Sequence, residues 1–276
     1  MPPRDDHRDK PRKGKALRGR AGRMNGGRGS GRGSTGTVRL WGRHAVEAAL
    51  TNPARTVKKL WGTRESIQEM LDAHEAELPA SLPVEYAQGI DLARLVARDA
   101  PHQGLVIECL PLDDLALDDV LEEADGRTIV LLDQVTDPHN VGAIIRSCAA
   151  FDVAAIVTQD RHAPPESGTL AKSASGALEV VPWVRVVNLA RALEEIAEAG
   201  YWRIGLDGSG TATFPSALPK GPVALVLGAE GEGLRQNVAL HCDSIARLPI
   251  ASAIESLNVS NAAAIALYAV ATREAD

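Results

Sequence analysis

Residues 128–148 read Thr128-Ile129-Val130-Leu131-Leu132-Asp133-Gln134-Val135-Thr136-Asp137-Pro138-His139-Asn140-Val141-Gly142-Ala143-Ile144-Ile145-Arg146-Ser147-Cys148. An apolar run gives way to an Asp-Pro turn and then to a helical pattern beginning at Asn140 or Val141. The run lacks the alternation of a half-solvated strand, so over 128–135 it predicts a strand buried on both faces, as in a parallel sheet covered by helices. Asn140 is placed to cap the helix. Gly142, in the first turn, lets a ligand or another backbone come close. Arg146 stands in an otherwise apolar helix, where an arginine snorkels to solvent or makes an ion pair.

Working downstream, the same alternation recurs. Strands are expected at 154–158, 180–187, 202–206, 223–227 and 244–248, with helices at 189–199 and 257–273. Together these predict an α/β fold with a parallel sheet, in which ligands bind outside the carboxyl ends of the strands. Two more polar clusters fall at such ends. Leu225-Val226-Leu227-Gly228-Ala229-Glu230-Gly231-Glu232-Gly233-Leu234 is a strand running into a glycine-rich turn. Its glycine spacing reverses the dinucleotide fingerprint, and it lacks the Lys-Ser/Thr of a phosphate loop. Two carboxylates in such a turn repel phosphate and tolerate a cation. Near a helix N-terminus they are also favourably placed without any ligand. The last cluster, Leu248-Pro249-Ile250 followed by Ser256-Leu257-Asn258-Val259-Ser260-Asn261, opens an Ala-rich helix. A cap, most readily Ser256, accounts for one polar residue there and leaves the others unexplained.

Upstream lies a smaller α/β unit at 37–110. Its expected elements are helices at 42–50, 66–77 and 90–97 and strands at 57–61 and 104–109, with Val46, Ala49 and Leu50 on one face of the first helix. Residues 111–126 read as a linker with room for a short helix. Residues 1–36 read as a disordered tail, since they hold 9 of the 25 glycines and 11 Lys/Arg against 3 Asp/Glu. Such a tail is either inert or an RNA-attracting arm. It hides how acidic the rest is: with a net charge of −6 overall and +8 in the tail, the remaining 240 residues carry −14. Hydrophobic residues at 45% and charged residues at 24% exclude a wholly disordered chain. No apolar run approaches the roughly 18 residues of a membrane span, and no apolar stretch follows the basic N-terminus as in a secretory signal. The cysteines at 109, 148 and 242 lack metal-site spacing, which points to a reducing cytoplasm and to no metal.

Taken jointly, the segments 137–147, 227–234 and 248–260 resemble the three motifs of the SpoU/TrmH branch of the SPOUT RNA methyltransferases, in that family's order and spacing. Leu40-Trp41-Gly42-Arg43-His44-Ala45-Val46-Glu47 and His102-Gln103-Gly104 resemble its substrate-binding domain. Chains with both parts are most like the type that methylates a guanosine ribose in 23S ribosomal RNA. The resemblance implies a SPOUT domain over 127–276 with a deep trefoil knot, an exception to the usual absence of knots. It also implies a homodimer and S-adenosylmethionine as cofactor, held around Leu206, Gly208, Gly228, Gly231, Leu248, Ile250 and Leu257. The same turn that tolerates a cation suits a sulfonium without phosphate. After Pro249 this chain has Ile250-Ala251-Ser252 where relatives often have Met-x-Gly.

The implied catalytic set is Asn140, Arg146, Glu230, Ser256 and Asn258. Arg146 fixes a target phosphate and stabilises the developing alkoxide, Glu230 orients Arg146, and Asn140, Ser256 and Asn258 position ribose or loops. The alternatives are a transfer-RNA 2′-O-methyltransferase and a non-catalytic RNA-binding or ribosome-assembly protein of the same fold. A dinucleotide-dependent oxidoreductase is disfavoured by the reversed glycine spacing.

Overall fold

The computed structural model describes residues 36–74 and 77–273, so the expected tail lies outside the described residues apart from Gly36. The first elements are β1 (Val38–Trp41), α1 (Arg43–Thr51), β2 (Val57–Gly62), α2 (Arg64–His74), β3 (Val84–Tyr86), α3 (Gly89–Leu92) and β4 (Leu105–Cys109). They form a mixed sheet in the order β1-β4-β2-β3. Only β2 and β3 run parallel. The helix expected over 90–97 is the single turn of α3, because Ala93 already caps it. On α1 the buried residues are Ala45, Val46 and Ala49, and Leu50 is only half-buried. The strands β1 and β3 are too short to show a period and were not legible.

Next come α4 (Leu117–Glu123), the short helix that the 111–126 stretch had room for, and β5 (Ile129–Asp133), α5 (Pro138–Ala150), β6 (Ala155–Gln159) and α6 (Gly168–Ala174). They are followed by β7 (Trp183–Val186), α7 (Leu189–Glu198), β8 (Trp202–Leu206), β9 (Ala212–Thr213), β10 (Val223–Gly228), α8 (Gln236–Ala239), β11 (Ser244–Arg247) and α9 (Val259–Thr272). The second sheet has the order β7-β6-β5-β10-β8-β11-β9, and every pairing in it is parallel. All five residues of β5 are buried, as are the first five of β10. That pattern is what a sheet covered on both faces requires. The strand expected over 180–187 starts late because a 3₁₀ turn, Ala177–Glu179, precedes it.

Two helix starts differ from expectation. Asp137 caps α5 by accepting from the His139 N–H, with Pro138 in the first helical position, so Asn140 is not the cap. A proline there is already set at helical φ and has no N–H to leave unpaired. Asn258, not Ser256, caps α9, accepting from the Ser260 and Asn261 N–H groups. Both asparagine side chains therefore matter elsewhere or doubly. Gly142 does what its position suggested: a Cβ there would run into the Leu170 carbonyl and lie 2.7 Å from Ser173 Cβ. Its absence lets α5 pack directly on α6.

The two sheets meet through helices rather than edges. Leu40, Val46 and Leu60 from the small unit share a continuous apolar core with Ile144, Leu170 and Leu178 from the helical segments that cover the large sheet. An ionic centre crosses the same junction. Arg55, its side chain fully buried, reaches Glu166 at 2.5 Å and Glu179 at 2.6 Å and donates to the Leu110 carbonyl. Asn52 adds a 2.7 Å bond to Glu179.

Candidate cofactor cleft and active site

Register places the motif turns side by side. Gly228 of β10 pairs with Asp133 of β5, Leu227 with Leu206 of β8, and Leu206 with Ala246 of β11. The four strands therefore end at nearly one level, and their loops wall a cleft of ≈ 360 Å³ outside the carboxyl edge. All seven residues expected around the cofactor, Leu206, Gly208, Gly228, Gly231, Leu248, Ile250 and Leu257, line it. Glu230 and Ser256 line it too, together with Asp207, Glu232 and Glu255. Among the described residues, four carboxylates and no lysine or arginine make a wall that disfavours phosphate and accepts a positive centre, while the leucines, Ile250 and Val259 offer apolar cover to a flat ring.

The glycines divide by role. A Cβ on Gly228 would run into the Gly233 carbonyl and sit 2.6 Å from the Leu234 nitrogen, so Gly228 is needed to close its own turn, not to clear ligand space. Gly208 meets nothing within 4 Å, and a side chain at that position would enter the cleft.

At one rim a single carboxylate oxygen gathers three donors. Glu230 Oε1 accepts from Asn258 Nδ2 at 2.7 Å, Asn140 Nδ2 at 3.1 Å and the Val259 N–H at 3.2 Å. Asn258 Nδ2 also reaches Asn140 Oδ1 at 2.9 Å. Asn140, Glu230 and Asn258 come from the three separate motifs and meet here. Arg146 does not join them. Six residues along α5 from Asn140, it is about 9 Å farther along the axis and roughly 120° away in direction. It is exposed, has no hydrogen bond or ion pair among the described residues, and faces a second hollow against α1. The expected pairing of Glu230 with Arg146 is thus replaced by Glu230 with the two asparagines, because Asn140 and Arg146 occupy different faces of one helix.

Sequence reasoning missed two residues that shape the cleft. Asp207 accepts from the Ser209 N–H and hydroxyl at 2.9 and 2.6 Å and from the Leu234 N–H at 3.1 Å, tying the loop after β8 to the glycine turn. Burial alone would raise its carboxyl, but these hydrogen bonds outweigh burial and hold it below the usual range. Asp133, fully buried, takes Arg235 Nε at 2.7 Å and the Arg235 N–H at 2.9 Å, fixing the far end of that turn. An aspartate directly after an apolar strand was the available signal for both. Burial pushes the thiols of Cys109, Cys148 and Cys242 up to about 12, which removes them as nucleophiles. Among the described residues no group of three or more His, Cys, Asp or Glu could hold a metal ion.

Fold and cleft define an α/β enzyme arranged for a cationic, phosphate-free cofactor. The sequence profile of the SpoU rRNA Methylase family matches residues 127–268, and that for RNA 2′-O ribose methyltransferase substrate binding matches 39–115. The chain is 37% identical over 239 residues to the 23S rRNA (guanosine-2′-O-)-methyltransferase RlmB of Pseudomonas aeruginosa, covering 84% of this chain and 95% of that one. Against the enzyme of the same description from Ralstonia nicotianae it is 38% identical over 235 residues, covering 83% and 93%. The solved SpoU methyltransferase AviRb from Streptomyces viridochromogenes, in complex with the cofactor AdoMet, superposes with a TM-score of 0.70 at 24% identity, over 86% of this chain and 89% of that one. The chain belongs to the SpoU rRNA methylase family.

Proposed function

We propose that this chain transfers a methyl group from S-adenosylmethionine to the ribose 2′-hydroxyl of a guanosine in 23S ribosomal RNA. The observation that carries this is the cleft at the carboxyl edge, rimmed by four carboxylates, lined among the described residues by no lysine or arginine and joined to a cluster drawn from three motifs. The names of the RlmB relatives support the guanosine and the ribosomal RNA.

Within the cleft, Leu206, Leu248, Ile250 and Leu257 cover the adenine, and the backbone at Gly208 and Gly231 leaves room for the rest of the cofactor. When bound, the sulfonium supplies an already activated methyl, so orientation is the main contribution left to the protein. Asn140, Glu230 and Asn258 hold the three loops in register, and Ser256 sits at the open rim toward the ribose. Arg146, which faces the hollow beside the cleft and not the cleft itself, holds a target phosphate. It does not act as the base, because a guanidinium does not ordinarily deprotonate. Neutralising one of pKa near 13 at pH 7 would cost about 8 kcal/mol. The hydroxyl proton leaves by way of a phosphate oxygen of the RNA and ends on solvent water.

The small unit at 37–110 binds the RNA, and 127–276 forms the methyl-transferring part, its chain knotted where α9 returns past the glycine turn to pack on α5. Two copies associate through the exposed side of α9 and the adjoining end of α5 at Phe151. Tyr268 and Ile265 are 60% and 48% exposed there, and Phe151 meets Tyr268 edge-on with ring centroids 6.3 Å apart. Among the described residues no helix is long and apolar enough to cross a membrane, and we place the enzyme in the cytoplasm with its ribosomal RNA.

The test maps 2′-O-methyl groups in 23S rRNA from cells lacking the protein and from the same cells given the wild type or Arg146→Ala. One guanosine should lose its methyl, regain it with wild type and stay bare with the variant. In vitro, Arg146→Ala should keep S-adenosylmethionine affinity within a few-fold while single-turnover methylation falls roughly 100-fold or more. If no 23S position responds to the protein, the reading is wrong.

A further inference from the structure

The second hollow, of ≈ 440 Å³, lies between α1, the last turn of α2, α5 and the turn joining α6 to the 3₁₀ segment. Its charged and imidazole groups are His44 and Glu47 from α1, His74 from α2, and Arg146 from α5, with the Thr51 and Ser175 hydroxyls beside them. Ala48, Ala149, Ala177 and Val180 line the rest with apolar surface. Val180 is 69% exposed and so presents most of its apolar surface to whatever enters. The wall is firm: Gly176, at φ 89°, leaves so little space that a Cβ would meet the His44 carbonyl at 3.0 Å and Ala48 Cβ at 3.1 Å.

Glu47 organises the polar side. Its Oε1 takes Arg43 Nε at 2.7 Å, and its Oε2 lies 3.4 Å from His74 Nε2 and 3.7 Å from His44 Nδ1. The carboxylate is only 11% exposed, whereas the imidazoles are 46% and 69% exposed. Burial would raise the Glu47 carboxyl, but the Arg43 and His74 hydrogen bonds outweigh burial and keep it ionised. Arg43 offsets that charge. Each histidine is turned by one ring nitrogen toward Glu47, and the other nitrogen has no partner among the described residues. A carboxylate behind an imidazole fixes the ring's orientation, and the outer nitrogen donates to a phosphate oxygen when the ring carries both protons. Opposite them stands the unpaired Arg146.

We infer that this hollow seats one phosphate of the RNA backbone beside the target nucleotide, held by His44 and His74 on one side and Arg146 on the other, with that nucleotide's sugar or base against the alanine and valine wall. This deepens the RNA methyltransferase reading and rests on it. Outside the first 36 residues the chain is net acidic, so attraction for phosphate must come from local groupings such as this one. The subsite also gives the small unit a definite role. His44 and His74 belong to its helices and Arg146 to the motif-one helix, so a phosphate between them sets the distance from bound RNA to the cleft.

The experiment uses the full chain and a short 23S rRNA fragment carrying the mapped guanosine. His44→Ala/His74→Ala should weaken RNA binding about tenfold and reduce the salt slope by at most about one, the share of a single phosphate. S-adenosylmethionine affinity should stay within twofold. His44→Lys/His74→Lys should restore RNA affinity, which a packing role would not allow. Fragments with one neutral methylphosphonate linkage, scanned across the flanking positions, identify the phosphate: at one linkage the affinity loss seen with wild type should shrink at least threefold in the alanine variant. Equal RNA affinity of the alanine variant and wild type, no recovery with lysine, or losses that are additive at every linkage would each overturn the subsite. If the wild type itself fails to methylate RNA, the underlying function fails instead.

Discussion

Glu230 Oε1 carries the site at the scale of single residues, since one oxygen ties Asn140, Asn258 and Val259 together. The glycines nearby allow a sharper experiment, because two neighbours of the same cleft should fail in different ways. Gly208→Val should fold normally, with a melting temperature within a degree or two of wild type, yet bind S-adenosylmethionine at least tenfold more weakly, since its Cβ enters open cleft. Gly228→Val drives a side chain into the Gly233 carbonyl and should destabilise the protein by about 2–4 kcal/mol as well as losing the cofactor. Thermal unfolding and cofactor titration on the same samples distinguish the two. Equal stability of both variants would show that Gly228 is not holding the turn.

At the scale of elements, the strands of the large sheet were legible chiefly because β5 and β10 are near-continuous apolar runs bounded by turn residues. The cleft residues were legible from the family's motifs, and each lines the cleft. What stayed hidden was pairing across distance. Nothing in the sequence says that Asn140 meets Glu230 while Arg146 turns toward α1, because a helix carries both and only packing decides which face goes where. The junction of the two sheets was hidden for the same reason: Arg55, Glu166 and Glu179 are far apart in the chain and ordinary in type. Its contribution can be measured. Arg55→Met leaves two buried carboxylates without their cation and should cost about 3–5 kcal/mol at neutral pH. Burial already raises the Glu166 carboxyl, and Arg55 works against it. Removing Arg55 raises that pKa further. A carboxyl whose folded pKa exceeds its unfolded one loses stability as pH rises, so the deficit should shrink as pH falls toward the ordinary value of 4.5. Denaturant unfolding from pH 8 to 5 checks both size and sign, and a deficit that grows toward acid would refute the account.

For the molecule as a whole, the exposed side of α9, with the adjoining end of α5 at Phe151, is the test of assembly. The buried side of α9 (Val259, Ala263, Ala266, Leu267, Val270) is already covered within one chain. Ile265 and Tyr268 on its other side are not. Tyr268→Glu should convert a dimer into a folded monomer in sedimentation, with methyl transfer reduced at least tenfold, since burying an unpaired charge in an apolar interface is strongly unfavourable. A wild type that sediments as a fully active monomer would reject the dimer.

The convergence of three loops on Glu230 also has a consequence in time. A ribosome delivers residue 140 first, residue 230 much later and residue 258 after that, so the knot of hydrogen bonds around Glu230 cannot close while the nascent chain is still short of α9. Strands β5 to β11 and their covering helices are all made earlier and can collapse on their own apolar faces. The enzyme therefore emerges as a scaffold before it is a catalyst, and competence to hold a methyl donor arrives only with the docking of one helix of 14 residues.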